Sequence, residues 1–268
     1  MRISDERIRE LEVISSEIKK DIVRMIGIAR SGSLEIPITV PEVFVFLYWE
    51  VLENTIGYKT KFFLGIPECT PVLYAVLSKK GYFGREELWH FRRLGSILPA
   101  LPDFRRTPGV DSPCVIGGIE LSIAAANALV DIERNNCSIS ICLSSTKIFD
   151  DDDFLEESLY AVRTGLGNLI QIFLLFTTDN VIPNTVENCS NKLSKMGWNV
   201  CFANGSNYRD MSQIFCGYDY SDTRPKALFL IIGQDNDLIH AKTKTAGILS
   251  SMNSEEMDIA LEELEGQQ

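Results

Sequence analysis

The chain has 268 residues, enough for one large domain or two small ones with a sizeable buried core. Apolar residues make up 45% and charged residues 24%, which excludes a disordered chain, and no apolar run reaches the roughly 18 residues of a membrane-spanning helix. The formal charge of −11 has the wrong sign for binding a phosphate backbone, so we expect neither a nucleic acid nor a membrane as a partner.

The N-terminal residues and the cysteines indicate a cellular compartment. Residues 1–7 alternate in charge and lack the apolar stretch of a secretory signal, which predicts a cytoplasmic protein. The seven cysteines form no CxxC pair, and the chain has only two histidines. We therefore predict buried free thiols rather than disulfides or a zinc site.

Helical spacing is clearest near the N terminus. Apolar residues from position 8 to 29 recur every three or four residues after a Ser4-Asp5-Glu6 start, which predicts one long amphipathic helix. The same spacing predicts further helices at residues 41–52, 71–80, 85–93 and 121–134.

Short, nearly continuous apolar runs lie between the later helices. They occupy residues 138–143, 169–176, 198–202 and 227–232 and are typical of strands that are covered on both faces. Strands that alternate with helices predict an α/β fold with a mostly parallel central sheet flanked by helices. We predict one module over residues 1–250 and an acidic helical tail over 251–268, either packed on the module or offered to a partner.

Motifs for common chemistries are missing from the sequence. No GxSxG, Walker, GxGxxG or HExxH pattern occurs, and His90 lies in a charged stretch typical of a helix surface. The four acids at 150–153 could bind a divalent ion, but we interpret them as a helix start, where carboxylates complement the helix dipole.

A series of short stretches nevertheless keeps a recognisable order and spacing. They are PVLYAVL at 71–77, GYF at 81–83, EEL at 86–88, FRRLGS at 91–96, PD at 102–103, TPGV at 107–110 and NLI at 168–170. Through them the chain resembles the N-terminal, diphosphate-binding module of the transketolases, in the split form where that module is a separate chain. The resemblance runs from the first helix to about the last predicted strand. It implies a three-layer thiamine-diphosphate-binding fold.

The resemblance also implies a site for Mg²⁺ and thiamine diphosphate, with a Gly-Asp-Gly after a strand and an Asn about thirty residues later as oxygen ligands. Here the Gly-Asp-Gly positions are Ser144, Ser145 and Thr146. The Asn position falls at or beside Phe176, whose side chain has no oxygen atom. A polar neighbour takes this position only if the match to the family contains a gap. The expected metal ligands are therefore absent from these positions.

Residues that contact the cofactor and the sugar in that family are replaced as well. Ser33, Glu68 and Leu101 stand at the positions of three family histidines. Residues Gly118 and Glu120 belong to the stretch VIGGIE, which replaces a glycine-rich loop that lets backbone amides approach the diphosphate. Glu68 is worse than a neutral replacement, because a carboxylate about 4 Å from a diphosphate oxygen would repel it by roughly 4 kcal/mol at an effective dielectric of 20.

We therefore predict no catalytic residue, no bound metal and no cofactor. The favoured function is a non-catalytic transketolase-like subunit that serves as a structural or regulatory partner. One alternative is an active, thiamine-diphosphate-dependent ketol transferase subunit that pairs with a pyrimidine-binding C-terminal subunit, since a chain of this length would hold only one of the two modules. Another alternative is a small-anion module at Thr146 and Lys147, or an altered pocket that binds a different ligand.

The stretch after the glycine-loop position carries a prediction about assembly. It is rich in apolar and small residues, namely Ile116, Ile119, Leu121, Ile123, Ala124, Ala125, Ala126 and Leu129. A helix that is apolar on more than one face is either in a core or covered by another chain. We predict a homodimer, or a heteromer with a pyrimidine-module partner, and that Ala125→Glu dissociates it without unfolding the chain.

Overall fold

The structure is a computed structural model of the chain and describes residues 3–52, 59–114, 119–150, 152–177, 182–217, 219, 221–233 and 252–266. The chain divides into two compact units. The first unit consists mainly of Trp49–Pro67 and Asp111–Gly233, and the second of Ser4–Tyr48, Glu68–Val110 and Gln234–Gln268. Each unit contains its own cluster of buried apolar side chains.

Helices and strands follow one another along the chain. The helices are α1 (Asp5–Ala29), α2 (Pro41–Phe46), α3 (Thr70–Lys79), α4 (Ile119–Glu133), α5 (Asp152–Arg163), α6 (Asn184–Met196), α7 (Tyr208–Cys216) and α8 (Ser254–Glu265). The strands are β1 (Lys59–Leu64), β2 (Ser138–Ser145), β3 (Leu169–Thr177), β4 (Asn199–Asn204) and β5 (Lys226–Gly233). Short 3₁₀ segments lie at Pro67–Cys69, Arg85–His90 and Thr146–Asp150.

The first unit is built on a five-stranded sheet with the order β1-β2-β3-β5-β4, in which every neighbouring pair is parallel. Strands β2 and β3 are buried along nearly all of their length, which explains their continuous apolar sequences. The flanking helices pack on the sheet through Leu121, Phe154 and Leu193. This architecture confirms the predicted α/β fold with a parallel sheet flanked by helices.

The second unit is helical and is organised around α1. Ser4 caps this helix by accepting a hydrogen bond from the Arg7 amide, as the sequence predicted. Helix α8 packs on α1 so closely that a Cβ at Gly27 would lie 2.6 Å from the Met257 sulfur. The acidic tail is thus a helix that packs on the second unit through buried Ala260 and Leu264.

Two predicted helices differ in the structure. The helix predicted over 41–52 is α-helical only to Phe46 and continues as a π-helical segment, Leu47–Val51. The helix predicted over 85–93 is the 3₁₀ segment Arg85–His90, which precedes Arg92 in the left-handed region at φ 59°. Buried Leu88 and Phe91 are three residues apart, a spacing that α and 3₁₀ helices share, so the pattern could not separate them.

The position of Ala125 in helix α4 shows that the prediction for Ala125→Glu is wrong. Ala125 is 3% exposed and packs in the core with Leu121 and Ala124, because this face of the helix lies on the sheet. A glutamate there would bury a charge, so Ala125→Glu is expected to unfold the chain rather than dissociate an assembly. Ile123 and Leu129 are partly buried against the same core, whereas Ile119 and Ala126 are exposed, and Ile116 lies outside the described residues.

The cysteine prediction holds in part. All seven cysteines are free, and Cys69, Cys114, Cys142 and Cys189 are buried. Cys137 and Cys216 are exposed instead: Cys137 lies in the connection between α4 and β2, and Cys216 is the last residue of α7. Among the described helices, none is both long and apolar enough to cross a membrane.

The predicted boundary between the module and the acidic tail, at residues 250 and 251, stays a prediction, since both positions lie outside the described residues.

Candidate functional site

The candidate site in the first unit lies at the carboxyl end of β2, where the resemblance places a cation. Ser144 and Ser145 are the last two residues of this strand, and Thr146 begins the 3₁₀ segment that follows. Ser144 is fully buried, whereas Ser145 and Thr146 are partly buried. The Ser145 hydroxyl accepts a hydrogen bond of 3.3 Å from the Lys147 amide, so it stabilises the local turn.

Glu120 is the buried acid of this site. It is the second residue of α4, is 1% exposed, and its Oε1 accepts a hydrogen bond of 2.7 Å from the Ser144 hydroxyl. The first turn of a helix favours a carboxylate because its amides and dipole present positive charge. The sequence placed Glu120 in the approach of a cofactor, but the structure turns this side chain into the protein, toward β2.

A hydrogen-bond chain continues from Ser144 into β3. The fully buried Gln171 donates from Nε2 to the Ser144 hydroxyl over 2.8 Å. The Cys142 sulfur lies 3.8 Å from the same oxygen. Burial raises the pKa of the Cys142 thiol well above its usual range, and the Glu120 charge raises it further. Cys142 is therefore a neutral thiol, not a nucleophile.

Gly65, which follows β1, completes this group. A Cβ at Gly65 would overlap the Glu120 carboxyl group, so only glycine leaves room for the side chain in its observed position. The Gly65 amide donates a hydrogen bond of 2.8 Å to the Leu143 carbonyl, which holds it at the edge of β2. Gly65, Glu120, Ser144 and Gln171 thus form one buried polar cluster, which we call the Glu120 cluster.

Phe176, at the position of the family Asn, adds no oxygen ligand. Phe176 is partly buried near the end of β3, where it lies opposite Ile232 of β5. The polar neighbour that a gap would bring in is Thr177, the last residue of β3, whereas Gly118 and residues 178–181 lie outside the described residues. Within the part of the chain that the structure describes, no group of three or more His, Cys, Asp or Glu side chains could hold a metal ion.

The second unit contains the three positions that correspond to family histidines. Ser33 is partly buried and its hydroxyl accepts a hydrogen bond of 3.1 Å from the Glu35 amide. Glu68 is partly buried in a 3₁₀ turn, and Leu101 is 43% exposed. At the three positions of the family histidines, the chain therefore has a hydroxyl group that is already hydrogen-bonded to the backbone, a carboxyl group and an alkyl group.

The second unit also holds an arginine that the sequence did not single out. Arg92 donates from Nη1 to the Ser31 hydroxyl over 2.8 Å, and its guanidinium lies 5.0 Å from the Phe91 ring. Burial lowers the pKa of Arg92, but a guanidinium remains charged at any physiological pH. This arginine therefore places a partly buried positive charge beside Ser31.

Thiamine diphosphate and Mg²⁺, which the resemblance implies, do not fit the first-unit residues. Mg²⁺ requires a near-octahedral set of oxygen ligands. The Ser144 hydroxyl instead contacts Glu120 and Gln171, and the Ser145 hydroxyl stabilises its own turn. A diphosphate at this end of β2 would meet the negative charge of Glu120.

The small-anion site predicted at Thr146 and Lys147 gains no support. Both residues belong to a five-residue 3₁₀ segment, which is too short to present the amides of a helix N terminus, and Lys147 is exposed. Asp152 and Asp153 are the first two residues of α5, so a helix starts within the acidic stretch.

Sequence reasoning missed Gly65 and Gln171. Gln171 is a single polar residue inside an otherwise apolar strand, and this signal could have identified it as part of a buried hydrogen-bond network. The role of Gly65 depends on a contact with a residue 55 positions later, Glu120, which local sequence does not encode.

Comparison with known proteins gives consistent sequence and fold relatives, although no protein-family model matches the chain. The chain is 21% identical over 234 residues to an apulose-4-phosphate transketolase subunit from Phocaeicola vulgatus, covering 83% of this chain and 82% of that protein. It is 27% identical over 212 residues to the 6-deoxy-6-sulfo-D-fructose transketolase subunit SqwG of a Clostridium species, covering 74% and 75%.

Solved transketolases share the fold. A transketolase variant from Pichia stipitis superposes with a TM-score of 0.75 at 19% identity, covering 96% of this chain and 40% of the other. The Campylobacter jejuni transketolase gives 0.73 at 16% identity, covering 100% and 48%. The chain thus spans less than half the length of these solved transketolases. It resembles split-type transketolase subunits in sequence and transketolases in fold.

Proposed function

We propose that this chain is a non-catalytic, transketolase-like subunit that acts as a structural or regulatory partner in a larger assembly. The observation that carries the proposal is the Glu120 cluster. At the end of β2, Ser145 stands where the resemblance requires a carboxylate facing a cation, and the hydroxyl of the preceding, buried Ser144 is hydrogen-bonded to a buried acid of the same unit.

The substitutions act together, which is why we favour loss of the cofactor over a variant of the usual site. Loss of a single supporting residue around a metal typically lowers affinity by about 10- to 100-fold. Here Ser145 replaces a cation ligand, Phe176 stands at a second ligand position, and Glu120 engages the buried Ser144 hydroxyl beside them. Binding that depends on all three is expected to be lost entirely.

The exposed face of α4 supports assembly into a homodimer. Ile119, Ala126 and Val130 are spaced by seven and four residues and therefore lie on one helix face, with Ile119 54% and Val130 41% exposed. An apolar stripe on a helix that already packs its opposite face on a sheet is typical of a surface covered by another chain. A pyrimidine-module chain is the other partner that the resemblance suggests.

An active transketolase subunit is the second candidate. It is favoured by the comparison itself, because both split-type relatives carry names of transketolase subunits. In that case a partner chain would supply part of the site, and thiamine diphosphate and Mg²⁺ would be bound through residues that differ from the family pattern. We further propose a cytoplasmic location, which the seven free thiols support because reducing compartments keep cysteines unpaired.

Calorimetry separates the two candidates. Thiamine diphosphate with Mg²⁺ is titrated into the purified chain, alone and with any chain that co-purifies, and a transketolase of the full-length type serves as the positive control. We expect no binding heat for this chain at physiological cofactor concentrations. Micromolar, Mg²⁺-dependent binding would reject the non-catalytic function and favour the active one.

A further inference from the structure

We propose that a cavity at the amino-terminal edge of the sheet, between three strands and α7, binds a small aromatic amine. This site goes beyond the proposed function and does not depend on it. The Glu120 cluster lies at the carboxyl end of β2, whereas the cavity lies at the amino ends of β3, β4 and β5. Because all neighbouring strands are parallel, the two sites are at opposite edges of the sheet.

The floor of the cavity is one face of the sheet. Ile170 of β3 and Asn199 of β4 are both in register with Lys226 of β5. Cys201 is in register with Leu228, two residues further along each strand. Residues in register and residues two apart on a strand point to the same face, so these five side chains form two adjacent rows. Buried Ile170 and Leu228 make the floor largely apolar.

The last turns of α7 form the opposite wall. Ile214 and Phe215 line the cavity from this helix and are partly buried, and exposed Gln213 lies at its rim. The space between the helix and the sheet is about 250 Å³. An apolar cavity of about 150 Å³ holds a benzene molecule, so this space has room for an aromatic ring with a short substituent.

Lys226 does not offer its charge to a ligand. Its side chain is buried, and its ammonium group donates to the carbonyl oxygens of Gly167, Asp219 and Asp222 over 2.7, 3.4 and 3.2 Å. An ammonium group has three donors, so these hydrogen bonds use all of them. Burial lowers the pKa of Lys226, but the carbonyl oxygens compensate the charge that burial removes from water. The floor therefore has no donor from this lysine for an anionic ligand.

Asp219 is the charged group at the opening of the cavity. It lines the cavity and is exposed. The Ser221 hydroxyl and amide donate to Asp219 Oδ1 over 2.7 and 2.9 Å, and these hydrogen bonds lower the pKa of the carboxyl group. The carboxylate is therefore ionised at neutral pH, and its Oδ2 atom takes part in neither bond. This acceptor suits a ligand with an ammonium group and repels one with a carboxylate.

The experiment compares three probes that share a phenyl ring and differ in the charge of the head group. They are 2-phenylethylamine, which is a cation at pH 7, uncharged 2-phenylethanol and anionic phenylacetate. The dissociation constant of each probe for the purified full chain is measured by NMR titration up to about 10 mM.

We expect 2-phenylethylamine to bind with a dissociation constant of about 1 mM or lower. It should bind about 2- to 5-fold more tightly than 2-phenylethanol, which is the range for an exposed ion pair, and phenylacetate should bind most weakly. Absence of saturable binding of the amine, or equal affinities of the three probes, would overturn the proposal.

Asp219→Asn tests recognition of the head group. Asparagine removes the charge and still accepts a hydrogen bond from Ser221. The amine should lose its advantage over the alcohol in this variant, whereas the affinity for the alcohol should not change. An undiminished preference for the amine would overturn the proposal.

Cys201→Phe tests the location of the site, because the larger side chain fills the cavity. This variant should bind neither the amine nor the alcohol. Cys137→Phe is the matched control, since it places the same side chain at an exposed cysteine outside the cavity lining and should bind like the natural chain. Binding retained by Cys201→Phe, with native circular dichroism, would overturn the proposal. If Cys201→Phe does not fold, Asp219→Asn decides alone, because its side chain is exposed and outside the core.

Discussion

Ser138 donates a hydrogen bond of 2.6 Å to the Asp131 carboxylate and so joins the last turns of α4 to the first residue of β2. Asn136 and Asn127 donate to the same carboxylate over 3.1 and 3.0 Å. Burial opposes ionisation of Asp131, but the hydrogen bonds from these three residues and the nearby charge of Lys61 hold its pKa below the usual range.

This carboxylate predicts a pH dependence of stability. The pKa of Asp131 is lower in the folded chain than in the unfolded chain, so the unfolded chain binds the proton more readily. The contribution of Asp131 to the free energy of unfolding is therefore complete above the ordinary aspartate pKa of about 3.9. It is lost as the pH falls through the pKa of the folded chain. Asp131→Asn should lose about 1 to 3 kcal/mol at neutral pH, since three donors lose a charged acceptor.

Urea unfolding at pH 7 and at pH 3 checks this expectation. The Asp131→Asn variant should lose less stability between the two pH values than the natural chain, and the exposed Asp258→Asn should behave like the natural chain. An unchanged pH dependence in Asp131→Asn would contradict the role given to this hydrogen-bond network.

Thiol reactivity should separate exposed from buried cysteines. Cys137 and Cys216 are exposed, whereas burial raises the pKa of Cys189 to about 12 and raises that of Cys142 well above its usual range. Since the thiolate is the reactive form, alkylation of the native chain at pH 8 should modify Cys137 and Cys216 first. Mass spectrometry of peptides gives the order, and early labelling of Cys142 would contradict the buried position of β2.

The periodic parts of the fold could be predicted from sequence, whereas the elements that tertiary contacts define could not. Helix α1 and strands β2 to β5 carry long helical stripes or continuous apolar runs, and all were predicted close to their observed positions. Strand β1 was not predicted, because its six residues include two lysines and a threonine and gain burial only beside β2.

Helix α6 was missed for a different reason. Its buried residues, Val186, Cys189, Ser190 and Leu193, follow helical spacing but include only two large aliphatic side chains, so the stripe is weak in sequence. The contacts of the candidate site could not be predicted from the local sequence either. The resemblance identified the positions of Ser144 and Glu120, but the hydrogen bond between them joins residues 24 apart and appears only when α4 packs on β2.

Restoring single ligands should not restore cofactor binding. Ser145→Asp would supply one carboxylate and Phe176→Asn one amide oxygen, yet neither removes the Glu120 charge or the hydrogen bonds that occupy Ser144. We expect no measurable binding of thiamine diphosphate with Mg²⁺ to either variant in calorimetry. Measurable affinity in one of them would show that the rest of the site remains competent.

Two neighbouring alanines of α4 should separate folding from assembly. Ala125 is buried in the core, whereas Ala126 is exposed on the face that also carries Ile119 and Val130. Ala126→Glu should therefore leave the unfolding temperature nearly unchanged and place a charge in the proposed homodimer interface, which costs several kcal/mol if that interface is dry. Ala125→Glu should instead give unfolded or aggregated protein, because its charge has no route to solvent.

Light scattering at micromolar concentration, with circular dichroism on the same samples, measures both effects. The natural chain should have about twice the 30.1 kDa monomer mass, and Ala126→Glu should have the monomer mass with native secondary structure. Ala126→Ser, which is small and uncharged, is the matched control and should remain dimeric. If the natural chain has the monomer mass both alone and in the presence of any co-purifying chain, its apolar stripe is stable in water. This helix face would then give no support to a role in an assembly.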